Sequence, residues 1–546
     1  MSFWMLFAVE LSISQALLSS VGGTPFCSSS SFAFPELEGA ELVRINANAV
    51  HNYTARSVRS GSLVTTSHIS FCNTTVTYTH PGWNDTVNVE VWLPLEQKDW
   101  NGKLEAVGGG GYSAGFGALF LTQAVVDGYV AIDTDAGHEF GPSVAQHPGG
   151  WVLVSPGNVN WYLMDNFGSR SLYDMTIIGK AITETYFGRK PTYSYFAGCS
   201  QGGRQGLMIA QRYPDLYDGI LSQAPAINFE NFIPAGYWAQ QVMNDLGVYP
   251  SPCEINAFTK AAIEACDMLD GVRDGVISAP DLCHFNPHSV VGQNVSCNDT
   301  TTRMLTKAGA HIVEAAWDGP HSPTDNIGWF GLNKDASLTG AYVTTNCSSG
   351  TCSGAPTPLL SNWFPYFVAK DPDFAIANMT VADFFAALRL SDLEYKSMLG
   401  TACPDLSGFR DAGGKMISWH GLADEIIPPN GTIAYYQEVL ELDPSAHEFY
   451  RFFEAPGVGH CAGGSGPFPN EIFKELIAWV EDGVVPERLN ASSADGTVRP
   501  LCPYPSRQTY VGGDPSEAGS FACVSRGAED KDKGLLADIF QFYRPS

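Results

Sequence analysis

Residues Tyr193 to Arg212 read Tyr-Ser-Tyr-Phe-Ala-Gly-Cys-Ser-Gln-Gly-Gly-Arg-Gln-Gly-Leu-Met-Ile-Ala-Gln-Arg, and they hold a serine in the pattern Gly198-x-Ser200-x-Gly202. A small, aromatic run that reads as a buried strand precedes the serine, and an apolar pattern of helical period follows it. A chain that turns sharply from strand to helix holds its serine in a strained backbone conformation, and the flanking glycines make room for that crowding. The turn presents the hydroxyl as a nucleophile, and the helix N-terminus aims free N–H groups at developing negative charge. A second match, Gly111-Tyr-Ser113-Ala-Gly115, follows a glycine run and lacks this strand–turn–helix setting. It reads as a flexible loop, which leaves Ser200 as the nucleophile.

A serine hydroxyl attacks only when an imidazole takes its proton, and the imidazole needs an acceptor to fix its tautomer. Downstream, Trp419-His-Gly-Leu-Ala-Asp424-Glu-Ile-Ile-Pro-Pro429 leaves one strand, and Phe453-Glu-Ala-Pro-Gly-Val-Gly-His460-Cys461 leaves another. Serine, acid, histidine is the chain order on a doubly wound hydrolase sheet, so Asp424 and His460 fill the remaining roles. His420 is the rival base, although it stands before the acid at a strand end, and Glu425 is the rival acid. Cys199 precedes the serine and Cys461 follows the histidine. If Ser200 and His460 lie within hydrogen-bond reach, their neighbours fall within the Cα separation a disulfide needs. A Cys199–Cys461 bridge would tie nucleophile to base.

The elements that must position these residues alternate. Ser70–Tyr78, Val87–Leu93, Lys103–Val107 and Tyr129–Asp133 read as strands, and the spacing of Leu172, Met175, Ile178 and Ile182 is helical. Strand-helix alternation implies an α/β chain with a mostly parallel sheet covered on both faces. From about residue 227 to 395 the pattern gives way to a loop-rich stretch with many aromatics, cysteines and prolines, which reads as an inserted lid subdomain. Regularity returns with a strand at Lys415–Trp419, a helix from Thr432, a strand at Glu448–Phe453 and a helix over 471–481. The expected organisation is a leader over 1–20, catalytic segments over 21–226 and 396–546, and the lid over 227–395.

A formal net charge of −27 argues against nucleic acid and anionic membrane surfaces as partners. The first twenty residues are apolar enough for a signal peptide, though Glu10 interrupts them and no basic segment opens them. Thirteen cysteines point to an oxidising compartment. The density of N-glycosylation sequons points the same way; they fall at Asn52, Asn73, Asn84, Asn294, Asn298, Asn346, Asn378, Asn430 and Asn490. Together these imply a secreted, soluble glycoprotein.

Gly-Cys-Ser-Gln-Gly-Gly-Arg-Gln-Gly around Ser200, Gly-Leu-Ala-Asp at Asp424 and Gly-His-Cys at His460 resemble the signatures of the fungal tannase and feruloyl esterase family. The resemblance runs from Cys72 to Pro505. It implies an α/β-hydrolase fold with a lid, cleavage of phenolic acid esters, and an oxyanion hole of two backbone N–H groups. By position these belong to Gln201 and to Gly110 or Gly111. A second site lies in Cys266-Asp-Met-Leu-Asp-Gly-Val-Arg-Asp-Gly-Val-Ile-Ser278. Its spacing alone suits a hard cation or a pair of Asp-Gly turns equally. The resemblance carries a structural Ca²⁺ onto Asp267, Asp270 and Asp274, with the carbonyls of Val272 and Val276. The further disulfides expected are Cys266–Cys283, Cys27–Cys72, Cys502–Cys523, Cys253–Cys297 and Cys347–Cys352, which leaves Cys403 over.

The leading function is therefore hydrolysis of phenolic acid esters, from plant cell-wall polysaccharide or from tannin. Feruloyl and galloyl esters, or a small secreted metabolite, remain open as substrates. Transfer of the acyl group to an alcohol, and a non-catalytic secreted binding protein, are the alternatives.

Overall fold

A computed structural model describes residues 26–59, 61–297, 301–324, 327–348 and 351–526. The leader expected over 1–20 and the sequon at Asn298 lie outside the described residues. Nine strands form one sheet: β1 (Glu41–Arg59), β2 (Ser62–Thr79), β3 (Val87–Pro94), β4 (Lys103–Val107), β5 (Val130–Thr134), β6 (Tyr193–Cys199), β7 (Gly219–Gln223), β8 (Lys415–Gly421) and β9 (Tyr450–Ala455). They lie in the order β1-β2-β3-β5-β4-β6-β7-β8-β9. The run from β5 to β9 is parallel, and β1, β2 and β3 are added antiparallel at one edge.

Side chains along a strand alternate between faces, and both faces here are buried. Ile132, Phe196, Ile220 and Met416 pack with Ile178 and Ile182 of helix α2 (Ser171–Phe187; α1 is Ala118–Val126) and with Leu207 and Met208 of α3 (Gln201–Arg212). Their strand neighbours Ala131, Tyr195, Leu221 and Ile417 pack on the other face. There they meet Leu121 and Ala124 of α1, and Leu476 and Trp479 of a helix near the C-terminus, Ile472–Asp482. This is an α/β-hydrolase arrangement, with Ser200 at the β6–α3 junction.

Three parts go beyond the sequence reading. The strand β7 was not among those expected. Nor was β1, formed from a polar segment, which pairs with β2 in a long edge hairpin. The segment between β7 and β8 is rich in helices as well as loops. It contains α4 (Phe229–Ala235), α5 (Trp238–Leu246), α6 (Pro252–Cys266), α7 (Lys307–Asp318) and α8 (Val381–Leu399), along with two short hairpins. All six expected disulfides are present, and Cys403 is free and exposed.

Candidate active site

Ser200 sits between the end of β6 and the start of α3 with φ 64° and ψ −121°, a left-handed backbone that a side chain adopts only under constraint. The crowding is visible in its glycines. A Cβ on Gly198 would lie 2.6 Å from the carbonyl carbon of Gly202, and one on Gly202 would meet the Gly108–Gly109 backbone at 3.1–3.2 Å. The Ser200 side chain is partly exposed, and its hydroxyl makes no hydrogen bond to a described residue. Ser113, by contrast, is fully buried and gives its hydroxyl hydrogen to the carbonyl of Gly115 at 2.7 Å. Its loop is closed by reciprocal hydrogen bonds between Gly110 and Ser113, so the expected flexibility is absent.

Asp424 follows β8 and His460 follows β9. His460 Nδ1 meets Asp424 Oδ2 at 2.8 Å, while Asp424 Oδ1 accepts the N–H groups of Ile426 and Ile427, each at 2.8 Å. His420 is not separate from this pair. It is fully buried in β8, with Nε2 3.1 Å from the same Asp424 Oδ2 and Nδ1 2.8 Å from Thr432 Oγ1. One carboxylate thus holds two imidazoles, and only His460 reaches toward the surface, its side chain 11% exposed. The Cys199–Cys461 bridge, with a Cα separation of 5.9 Å, fastens the residue before Ser200 to the residue after His460. Glu425, the rival acid, instead accepts the backbone N–H of His460 at 3.1 Å.

Burial by itself would push the Asp424 carboxyl up. The His460 charge and the hydrogen bonds from both imidazoles outweigh it and hold the group below the usual carboxylate range. Burial likewise disfavours a charged His460, yet the charge and hydrogen bond of Asp424, followed by the charge of Glu425, raise it above the ordinary imidazole value of 6.5. Each partner therefore stabilises the charged form of the other.

Of the candidate oxyanion donors, Gln201 N–H is the first of α3 and has no intrahelical acceptor. Gly110 N–H is given to the Ser113 carbonyl at 3.1 Å, whereas Gly111 N–H has no acceptor among the described residues. The glycine loop is held on the elbow by Gly202 N–H to Gly109 O at 3.0 Å. The side chain of Gln205 clamps the same loop, accepting from Gly109 N–H and donating to Ala114 O, both at 2.9 Å. Arg204 is also fully buried, and its guanidinium donates to Gln201 Oε1 at 2.7 Å and to the carbonyls of Phe167 and Leu399. Neither residue was picked out from sequence; the signal was two long polar side chains in a helix start otherwise made of glycine.

This constellation sits in a chain whose relatives are informative. The family described as tannase and feruloyl esterase matches residues 72–524. The chain belongs to that family. A probable feruloyl esterase of Arthroderma benhamiae is 42% identical over 90% of this chain and 92% of its own length. A tannase of Aspergillus oryzae is 29% identical over 88% of each. Among solved structures, a tannin acyl hydrolase from Aspergillus niger superposes with a TM-score of 0.84 at 28% identity, covering 95% of this chain and 98% of its own. Members of the family are carboxylic ester hydrolases.

The loop expected to bind calcium folds as a series of carboxylate-capped turns. Asp267 Oδ1 accepts from Asp274 and Gly275 N–H, Asp270 Oδ1 from Val272 N–H, and Asp274 Oδ1 from Val276 N–H. Among the described residues no group of three acidic, histidine or cysteine side chains converges to hold a metal by itself. The second oxygen of Asp274 meets Arg499 at 3.1 Å. The carbonyls of the buried Val272 and Val276 accept no hydrogen bond from a described residue, and a mixed set of carboxylate and carbonyl oxygens fits a hard cation in kind.

Proposed function

We propose that this protein is a secreted serine esterase hydrolysing carboxylic esters of phenolic acids, of the feruloyl esterase kind. The observation that carries the reading is the Asp424–His460 pair at 2.8 Å, tethered beside a strained Ser200 by the Cys199–Cys461 bridge. With Nδ1 committed to Asp424, His460 presents Nε2 as the base. Ser200 Oγ gives its proton to that nitrogen and attacks the ester carbonyl. The N–H groups of Gln201 and Gly111 take the oxyanion, and His460 returns the proton to the leaving alcohol. Water, deprotonated by His460 in turn, releases the acid from the acyl-enzyme and restores Ser200. The insertion between β7 and β8 serves as the lid that shapes the substrate pocket. Galloyl ester hydrolysis is the second reading, supported by the likeness to the tannin acyl hydrolase.

Steady-state kinetics on methyl ferulate, methyl caffeate, methyl gallate and a plain aliphatic ester test this reading. The expected result is a kcat/KM on methyl ferulate about 100-fold above that on the aliphatic ester, the order one well-filled pocket provides. A preference for methyl gallate would move the protein to the second reading. No hydrolysis of any aryl ester would defeat both.

Secretion is supported by six disulfides and by exposed sequons at Asn52, Asn84, Asn294, Asn346, Asn378 and Asn490. No helix among the described residues is long and apolar enough to cross a membrane. Calcium in the Asp267–Val276 loop would brace the insertion and take no part in the chemistry. An ion bound only by the folded state stabilises it by mass action, so chelation is expected to lower the melting temperature by roughly 2–3 °C when calcium stands at about a hundred times its Kd. The check is calorimetry with and without chelator, alongside elemental analysis. An unchanged transition with no metal found rules the ion out.

A further inference from the structure

His460 stands in a glycine-rich loop that doubles back on itself: Gly457, Gly463 and Gly464 take left-handed φ of 67–86°, and Gly459 N–H is given to the Gly463 carbonyl at 3.1 Å. The Cys199–Cys461 bridge restrains the loop on one side. On the other, Glu425 Oε2 accepts the His460 backbone N–H at 3.1 Å. The Glu425 side chain is hemmed in: a Cβ on Gly459 would lie 3.0 Å from that same oxygen, and one on Gly340 would lie 3.0 Å from its Cγ. Glu425 is therefore wedged between the insertion and the histidine loop, in a gap that two glycines leave open.

We infer that Glu425 is a positioning residue for His460, fixing the backbone that carries the imidazole and setting a negative charge beside it. The inference rests on His460 being the base. Three ionisable groups face the His460 loop: Asp424 on its Nδ1, Glu425 on its backbone, and His420 from β8 across the shared carboxylate. Both carboxylates favour the imidazolium that forms when Ser200 gives up its proton. The same field raises the pH below which His460 is already protonated and unable to act. Removing the Glu425 charge must therefore carry the acid limb of the pH profile downward.

The experiment compares E425Q and E425A with the unmodified protein, measuring kcat and KM across the pH range that spans the acid limb. E425Q keeps an oxygen for the His460 N–H and loses only the charge, so its acid limb is expected at lower pH. E425A loses the tether as well, and its plateau kcat is expected to fall about 10-fold with KM changed less than about 2-fold, because the loss is one of alignment. A purely structural wedge would leave the limb where it is. An unmoved limb in E425Q, the isosteric variant least open to misfolding, overturns the inference. Should S200A prove inactive while E425Q shows no shift, the esterase mechanism stands and this role for Glu425 alone is wrong.

Discussion

Ser200→Ala loses essentially all turnover, with kcat down on the order of 10⁵-fold or more, because the variant has no atom to form the acyl-enzyme. Substrate still binds, since the backbone N–H groups of Gln201 and Gly111, the proposed oxyanion donors, and the rest of the pocket are untouched. Ser113→Ala is the control for the second Gly-x-Ser-x-Gly match. Its hydroxyl is buried against the Gly115 carbonyl and has no route to a substrate. The expected cost there is about 1 kcal/mol of stability from one lost hydrogen bond, with most activity retained. Labelling by an organophosphonate separates the two directly: the S113A variant takes up label and S200A does not. If S200A instead labels and turns over, the elbow is not the catalytic serine.

Much of this site could be read from sequence because its parts obey local rules. A strand, a glycine-flanked serine and a glycine-rich helix start leave little other packing, since a Cβ at Gly198 collides with backbone and one at Gly202 would press against it. The acid and base slots followed from chain order at strand ends. The cysteines beside Ser200 and His460 made the pairing legible before any distance was known. What stayed hidden depends on contacts between distant segments. That Asp424 holds two imidazoles, and that Glu425 bonds the His460 backbone instead of serving as the acid, is set by how the loops after β8 and β9 pack. Gly110 and Gly111 could not be told apart from sequence because the Gly110–Ser113 hydrogen bonds decide which N–H is spent.

The fold shows the same division. The parallel strands are short, apolar and buried; β4, β5, β8 and β9 fell within a residue or two of the limits expected, whereas β7 (Gly219–Gln223) was not among the expected strands. β1 was missed because an edge strand needs little apolar surface: Ile45, Ala47, Val50 and Tyr53 pack inward, while polar residues lie between them. Helix α8 had its signals in place. Thr380 and Asp383 form a capping box, and Phe384, Leu388, Ser391, Tyr395 and Leu399 recur every three or four residues on its buried face. The prolines and aromatics around it obscure that period in the sequence.

Asp424→Asn should cost about 10⁴-fold in kcat with little change in KM, the scale of loss when a triad histidine is held in the wrong tautomer. Asp424 Oδ1 accepts two backbone N–H groups, from Ile426 and Ile427, so that position must remain an oxygen. The amide nitrogen of the asparagine is then forced into the place of Oδ2, where both imidazoles converge. There it donates, and His460 Nδ1 must accept. The ring proton of His460 moves to Nε2, the atom that has to take the proton of Ser200. His420 meets the same nitrogen but keeps its contacts to Thr432 Oγ1 and the Ile427 carbonyl, so it is fixed independently of the substituted residue. For that reason His420→Gln should cost far less, within roughly 10-fold, as a change in support for the carboxylate. Activity of both variants, each with its melting temperature, decides the roles. Were H420Q to fall as far as D424N while a His460 variant kept its turnover, His420 would be the base and the loop after β9 a bystander.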